Sequence, residues 1–243
     1  MMRKKSVGAN IIAKNASWSF GKKVPKNFTK HISKSVPFYL EGHEIICDLS
    51  DFFLKEKSLC YDIGSSTGIL LSKISKRHSN KKLKFIGLDT VSAMIIQAKK
   101  ECKQSSNNNN KIYFQNKDIK KYSLRKNDLI ISYYTMQFIP PRYRQEIINK
   151  IYKSLNWGGA FIMFEKLRAS DARFQDIFSI VYNDFKLKNG FSSEEIVQKT
   201  RSLKGILEPF SDKGNLGLIK RSGFEDCIPV FQWMSFKGYL CIK

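Results

Sequence analysis

Acidic residues are scarce in this chain: 21 Asp plus Glu stand against 43 Lys plus Arg, a formal charge of +22 at neutral pH. Histidine is scarcer still, at three in 243 residues, and the five cysteines (Cys47, Cys60, Cys102, Cys227, Cys241) form no close pair in sequence. An odd, dispersed set of cysteines excludes a disulfide framework, and with so few histidines no metal-ligand cluster is visible, so no metal is expected. No stretch approaches the ~18 apolar residues of a membrane span. The basic start MMRKKSVGANIIAK also lacks the apolar run of a secretion signal. Together these absences predict a soluble, cytoplasmic protein with reduced thiols and no membrane partner.

What is present is enough for a sizeable core: 42% of residues are apolar and 13% aromatic, and the length fits one large α/β domain. The excess of positive charge attracts nucleic acid, an anionic surface or a small anionic substrate. Of the basic residues 34 are Lys, in a chain also rich in Ile and Asn, the pattern that A/T-rich coding produces. A nucleic-acid partner is therefore compatible with the charge but not favoured over an acidic small molecule.

Residues 1–56 read as an N-terminal basic and helical cap, with Trp18 and Phe20 ahead of GKKVPKNF and helical segments interrupted at Pro37. Apolar patterning then alternates strand and helix: strand 57–63, helix 69–77, strand 83–88, helix 92–102, the polar loop 104–110, strand 112–115, strand 129–133. A helix opens at Pro140 and Pro141 and closes at Asn156 to Gly159, whose glycines supply positive φ, before a strand from Gly159 to Glu165. Helices 168–187 and 193–203 fall in a helical insertion, 168–210, and strands 224–231 and 236–242 close the chain. This order predicts a Rossmann-like α/β fold over 57–243, a mostly parallel sheet with an antiparallel C-terminal strand pair and its ligand at the carboxyl ends of the strands.

The most informative stretch is Asp62-Ile63-Gly64-Ser65-Ser66-Thr67-Gly68, which follows a strand and opens a helix. Gly64 permits a tight turn and close approach of a ligand, Gly68 permits close helix–sheet packing, and the hydroxyls can donate. The spacing G-x-x-x-G lacks one glycine of the dinucleotide fingerprint, and no Lys-Ser/Thr pair follows as a phosphate loop requires. Asp89 ends the second strand, where a carboxylate accepts both hydroxyls of a ribose. Asp118-Ile119 follows the third, where the acid can accept from an adenine amino group while Ile119 packs on the ring.

These residues, with Leu155-Asn156-Trp157-Gly158-Gly159-Ala160-Phe161 before the fifth strand, resemble the class I S-adenosylmethionine-dependent methyltransferases over residues 57–165. A closer likeness, over nearly the whole chain, is to the carboxy-S-adenosylmethionine synthase family, whose members make the carboxymethyl donor for wobble-uridine modification of transfer RNA. It rests on Trp18 and Phe20, Val24 and Phe28, Lys34 to Tyr39, Thr135 to Phe138, Glu165-Lys166, Asn183 to Lys186, Asn189 to Ser192, Glu195 to Lys199, Ser222 to Phe224 and Phe231-Gln232. The resemblance implies S-adenosylmethionine or its carboxylated derivative as cofactor, lined by Tyr39, Asp62, Gly64, Ser65, Ser66, Gly68, Asp89, Thr90, Asp118, Ile119 and Tyr133. It also implies a homodimer.

Two positions depart from the family. Tyr133 replaces an Asn at the end of strand four, and the family's Arg after Gln-Lys, which clamps the extra carboxylate, is displaced in Lys199-Thr200-Arg201. One residue on a helix turns a side chain by about 100°, so the clamp is expected to be lost unless the backbone shifts. Without it the expected chemistry is methyl transfer to a small carboxylated acceptor such as an enolisable keto acid. There Arg201 or Arg168 would hold the carboxylate, and Tyr133, Tyr134 or His31 would take part in proton transfer. His31, alone on a polar helix, reads more simply as solvated. With the clamp, the family reaction applies: prephenate releases carbon dioxide, which recombines with a sulfonium ylide to give carboxy-S-adenosylmethionine and phenylpyruvate. Direct methylation of RNA or DNA is a third reading; it lacks both the Asn/Asp-Pro-Pro-Tyr/Phe tetrad and a catalytic Pro-Cys.

Overall fold

The computed structural model describes residues 14–20, 24–103 and 109–243. The basic tip, the Gly21-Lys22-Lys23 stretch and most of the polar loop 104–110 lie outside those residues. Two helices, α1 (Val24–Ser35) and α2 (Tyr39–Ser50), precede the first strand. Pro37 separates them as expected, and Phe38 turns the chain in a left-handed conformation at φ 54°.

The alternating core follows as β1 (Leu59–Ile63), α3 (Ile69–Arg77), β2 (Lys84–Asp89), α4 (Ser92–Lys103), β3 (Lys111–Asn116), β4 (Asn127–Tyr133), α5 (Pro141–Ser154) and β5 (Leu155–Lys166). Then come α6 (Ala172–Lys188), α7 (Ser193–Leu203), α8 (Asp212–Arg221), β6 (Asp226–Trp233) and β7 (Phe236–Ile242). One seven-stranded sheet has the order β3-β2-β1-β4-β5-β7-β6. β1 pairs in parallel with β2 and β4, and β7 is antiparallel to both β5 and β6. The strand order reverses between β1 and β4, where a crevice opens at the carboxyl ends.

Period-two alternation buries both faces of this sheet. Cys60, Phe85, Leu129, Ile131, Ile162 and Phe164 join one core with Ile46 of α2 and Leu71 and Ile74 of α3. Their strand neighbours Tyr61, Ile63, Ile86, Ile130, Phe161 and Met163 join a second core with Ile147, Ile148 and Ile151 of α5 and Leu218 of α8. The strands therefore read as continuous apolar runs, which is why the bounds of all but β5 were visible in sequence to within a residue or two. Among the described residues no helix is long and apolar enough to cross a membrane.

Four details differ from the sequence expectation. β5 begins at Leu155, four residues early, because Leu155 already pairs with Asn127 and the helix runs into the strand without a loop. In the Asn156–Gly159 stretch only Gly158 has positive φ, at 73°. α6 starts at Ala172, not Arg168, because Asp171 caps it by accepting from the Arg173 amide at 2.8 Å; Arg168 instead bridges to Ser211. α8, capped by Ser211, was not foreseen: with two glycines in ten residues its helical pattern is weak.

Gly68 shows how tightly α3 sits on the sheet. Its φ is +76°, and a Cβ there would lie 2.5 Å from Phe114 Cζ and 3.2 Å from Ala98. Gly68→Ala combines a left-handed backbone penalty with overpacking, about 2–5 kcal/mol in sum. Urea unfolding should show a lowered midpoint with an unchanged slope; a loss below about 1 kcal/mol would mean that this contact is not rigid.

Candidate functional site

A cavity of about 330 Å³ occupies the crevice. Gly64 and Ser66 from the β1–α3 turn, Asp89 and Thr90 from the end of β2, Asp118 and Ile119 beyond β3, and Tyr39 and Tyr133 all line it. Asp62 and Ser65 line a small adjoining recess with Tyr39 and His43. Gly68 lines neither; its place is in the helix–sheet packing. The turn owes its shape to Gly64, at φ +80°, where a Cβ would fall 2.0 Å from Thr135 Oγ1.

The two ends of the crevice differ in charge. Toward β2 and β3 its lining carries two acids, Asp89 and Asp118, balanced by Lys117 and Lys120. Asp89 accepts backbone amides on both oxygens, from Ser66 at 2.9 Å and Val91 at 2.8 Å, which fixes the carboxylate while leaving lone pairs for ribose hydroxyls. Burial nonetheless raises its pKa, against those amide hydrogen bonds. Asp118 accepts the Lys120 amide at 2.9 Å and pairs with the Lys120 ammonium at 3.2 Å, with buried Ile119 beside it. Behind the turn, Asp62 is buried and its pKa is pushed up to about 7, by burial first and the Asp89 charge second. Asp62 Oδ1 and Ser65 Oγ are buried with no hydrogen-bond partner. An acid and a hydroxyl left unmatched beside the crevice fit a ligand that brings its own donors, such as the ammonium of an amino-acid moiety.

Toward β5 the crevice is cationic. Lys166 ends β5, Lys199 projects from α7, and both line the cavity. The Lys199 ammonium sits 4.3 Å from the centroid of the Trp18 ring and donates to His31 Nε2. Lys166 and Lys186 lie 4.2 and 4.3 Å from the centroid of Tyr182. Burial first, and then neighbouring charges, Lys186 on both and Arg168 on Lys166, bring Lys166 and Lys199 down to about 7; Lys186 itself is lowered to about 8 by burial. The acids in the cavity lining, Asp89 and Asp118, stand on the far side of β1. Two lining ammoniums on aromatic platforms, Lys166 and Lys199, with Lys186 behind them on the Tyr182 ring and no acid of the lining on their side, suit an anion.

The residues expected to act in catalysis are placed very unequally. Arg201 is exposed and does not line the cavity. α7 turns Ile196, Lys199 and Leu203 inward, and two residues further along a helix is a rotation of about 200°, so Arg201 shares the outer face with exposed Val197. Arg168 is likewise exposed and outside the lining. His31 does line the cavity, but it is buried, not solvated, packed between Trp18 at 6.1 Å and Phe191 at 5.7 Å. Burial and then Lys199 lower its pKa to about 3, so it stays neutral and orients Lys199 as an acceptor.

Tyr133 donates to the Tyr39 carbonyl at 2.7 Å, fixing the start of α2 against the end of β4. Tyr134, at φ 55°, has a buried hydroxyl without a partner in the cavity wall. Burial raises the pKa of both phenols, making them donors and not bases at neutral pH. The turn that follows, 135–137, is held from below by Glu165, which accepts its amides and whose pKa burial raises to about 8. Arg144 closes the same turn by donating to the carbonyls of Ile139, Gln137 and Glu208.

Sequence reasoning missed Lys166, Lys186 and Lys199 as site residues. All three lie in stretches quoted for the resemblance, but one lysine among 34 carries no local signal; only burial against Trp18 and Tyr182 distinguishes them. It also left open the role of the N-terminal aromatics. Ala16 and Trp18 donate to the carbonyls of Arg201 and Ser202 at 3.0 and 3.1 Å, and Phe20 packs on Phe138 at 5.1 Å, so the segment straps one wall of the cavity.

Known proteins resemble the chain at two levels. The methyltransferase-domain family matches residues 61–159. Among solved structures, the apo S-adenosylmethionine-dependent methyltransferase SibL covers 85% of this chain and 55% of its own with a TM-score of 0.60 at 11% identity. Human N-acetylserotonin methyltransferase covers 92% and 61% with a TM-score of 0.56 at 19% identity; at such identities the likeness is one of fold. Whole-chain relatives are more specific. Carboxy-S-adenosyl-L-methionine synthase of Staphylococcus epidermidis is 36% identical over 230 residues, 93% of this chain and 97% of that protein. The protein of the same name from Nitratiruptor is 36% identical over 242 residues, 100% of this chain and 99% of that one. With relatives matched over nearly their full length, this S-adenosylmethionine-dependent transferase belongs to the carboxy-S-adenosyl-L-methionine synthase family.

Proposed function

We propose that the chain converts S-adenosylmethionine and prephenate into carboxy-S-adenosylmethionine, phenylpyruvate and water, the prephenate hydroxyl leaving with the proton that the methyl group gives up, and with Lys199 and Lys166 doing the anion-binding work expected of the displaced arginine. The observation that carries this reading is the group of buried lysines at the β5 end of the cavity, with no acid of the lining on their side. It agrees with the names of the full-length relatives. S-adenosylmethionine supplies an activated methyl carbon on a sulfonium, to which the carboxyl group is transferred.

The chain's own residues bind, orient and exclude water. Asp89 and the Asp118-Ile119 pair hold the nucleoside, and Asp62 with Ser65 accepts the amino-acid ammonium. The strap of Trp18 and Phe20 walls one side of the cavity, so that carbon dioxide released next to the methyl carbon is captured before it escapes. Lys199, fixed by His31 and Trp18, and Lys166, fixed by Tyr182, hold the carboxylates of the acid, and the free Tyr134 hydroxyl donates to an oxygen between them. Methyl transfer to a small keto acid is the second reading; the position of Arg201 outside the cavity favours it, and the lysines are equally suited to bind such an acceptor.

Mass spectrometry separates the two. Incubation with S-adenosylmethionine and prephenate should yield carboxy-S-adenosylmethionine and phenylpyruvate in equal amounts. S-adenosylhomocysteine with a methylated keto acid would instead establish the second reading. In steady-state kinetics, Lys199→Met should raise KM for the acid or lower kcat/KM by about 10- to 100-fold, the loss of one charge-assisted hydrogen bond. Arg201→Ala should stay within about twofold of the parent protein, and a larger loss in it than in Lys199→Met would return the clamp to Arg201.

A further inference from the structure

Two of the dispersed cysteines meet in space, away from the cavity. The antiparallel register of β6 and β7 sets Cys227 directly opposite Cys241. Opposite residues in such a pair share a face with their Cβ atoms about 4.5–5.5 Å apart, within a small adjustment of the ~3.5–4.5 Å that a disulfide requires. The two thiols are free, and each shifts the other's titration.

The pair is asymmetric. Cys241 is fully buried, whereas Cys227 is only partly buried, on the outermost strand of the sheet. The Cys241 thiol holds Cys227 below its ordinary pKa, and Lys237 acts in the same direction against burial and the Asp212 charge. Burial pushes Cys47 up to about 11 and raises Cys60 and Cys102 as well. Among the five thiols, then, one combines access with a stabilised thiolate, and its resolving partner is already in contact.

We propose that Cys227 and Cys241 form a hydroperoxide-reactive dithiol, with Cys227 as the nucleophile and Cys241 as the resolving thiol. The Cys227 thiolate attacks one oxygen of the hydroperoxide; the sulfur–oxygen bond forms, the oxygen–oxygen bond breaks, and hydroxide or alkoxide leaves. Cys241 then attacks the resulting sulfenic acid, the sulfur–sulfur bond forms, and the sulfenic oxygen leaves as water with the Cys241 proton. Two thiols are oxidised to one disulfide as one peroxide is reduced. The bond would tie the edge strand β6 to β7, and the proposal is independent of the reaction assigned to the cavity.

The test uses the full-length protein and hydrogen peroxide. Intact mass should fall by about 2 Da, with a reductant-sensitive cross-link between the Cys227 and Cys241 peptides. Before oxidation, iodoacetamide should label Cys227 at least about tenfold faster than the other cysteines. Cys241→Ser should stop at a Cys227 sulfenic acid that a 1,3-dione traps, and Cys227→Ser should give neither product. The peptide map of the unmodified protein decides the matter even if a variant folds poorly. Oxygen added at Cys227 without a cross-link, oxidation spread over Cys47, Cys60 and Cys102, or no reaction at all would each overturn the proposal.

Discussion

A cation on the wall of a largely apolar cavity is expensive unless something offsets its lost hydration, and that constraint organises this molecule. Lys199 lies on the Trp18 ring with neutral His31 as its acceptor, and Lys166 lies over Tyr182. Both are pushed down to about 7 by burial and by neighbouring positive charge. A structure selected for stability alone would place a carboxylate there or turn the lysines to solvent. The aromatic platforms, the N-terminal strap and the helices α6 and α7 all hold the ammoniums in place for a bound anion.

The opposite end of the crevice obeys a different constraint. Parallel strands deliver their carboxyl ends to one edge of the sheet, and the reversal of order between β1 and β4 leaves room there. Asp89 and Asp118 project into that space as acceptors already fixed by backbone amides, from Ser66, Val91 and Lys120. One crevice thus presents acids balanced by Lys117 and Lys120 at one end and lysines without an acid from the lining at the other, suited to a nucleoside with an amino-acid tail beside a small acid.

Much of this was legible in the sequence where a position imposes its own signal. The Asp62–Gly68 turn, the acids at strand ends and the apolar strand runs each follow from backbone geometry or two-faced burial, and the structure brings Gly64, Ser66, Asp89, Thr90, Asp118 and Ile119 to one cavity. The cationic end was not legible, because a lysine's role depends on whether a distant segment covers it. Arg201 attracted attention by its type, yet helical phase turns it outward and Lys199 inward. His31 looked solvated on a polar helix, and only the packing of Trp18 and Phe191 buries it. The Cys227 and Cys241 contact was hidden for the same reason: sequence spacing does not show cross-strand register.

The central claim, that the buried lysines are the anion site, is tested most directly by the protons taken up on binding. Titration calorimetry of prephenate into the protein with S-adenosylhomocysteine, in buffers of different ionisation enthalpy, measures that uptake. Lysines lowered to about 7 are largely neutral at pH 8, and a bound anion raises their pKa, so binding should take up about one to two protons at pH 8 and fewer at pH 6. The uptake should fall in Lys199→Met. Tight binding with no proton uptake at pH 8, unchanged in Lys199→Met, would contradict the account.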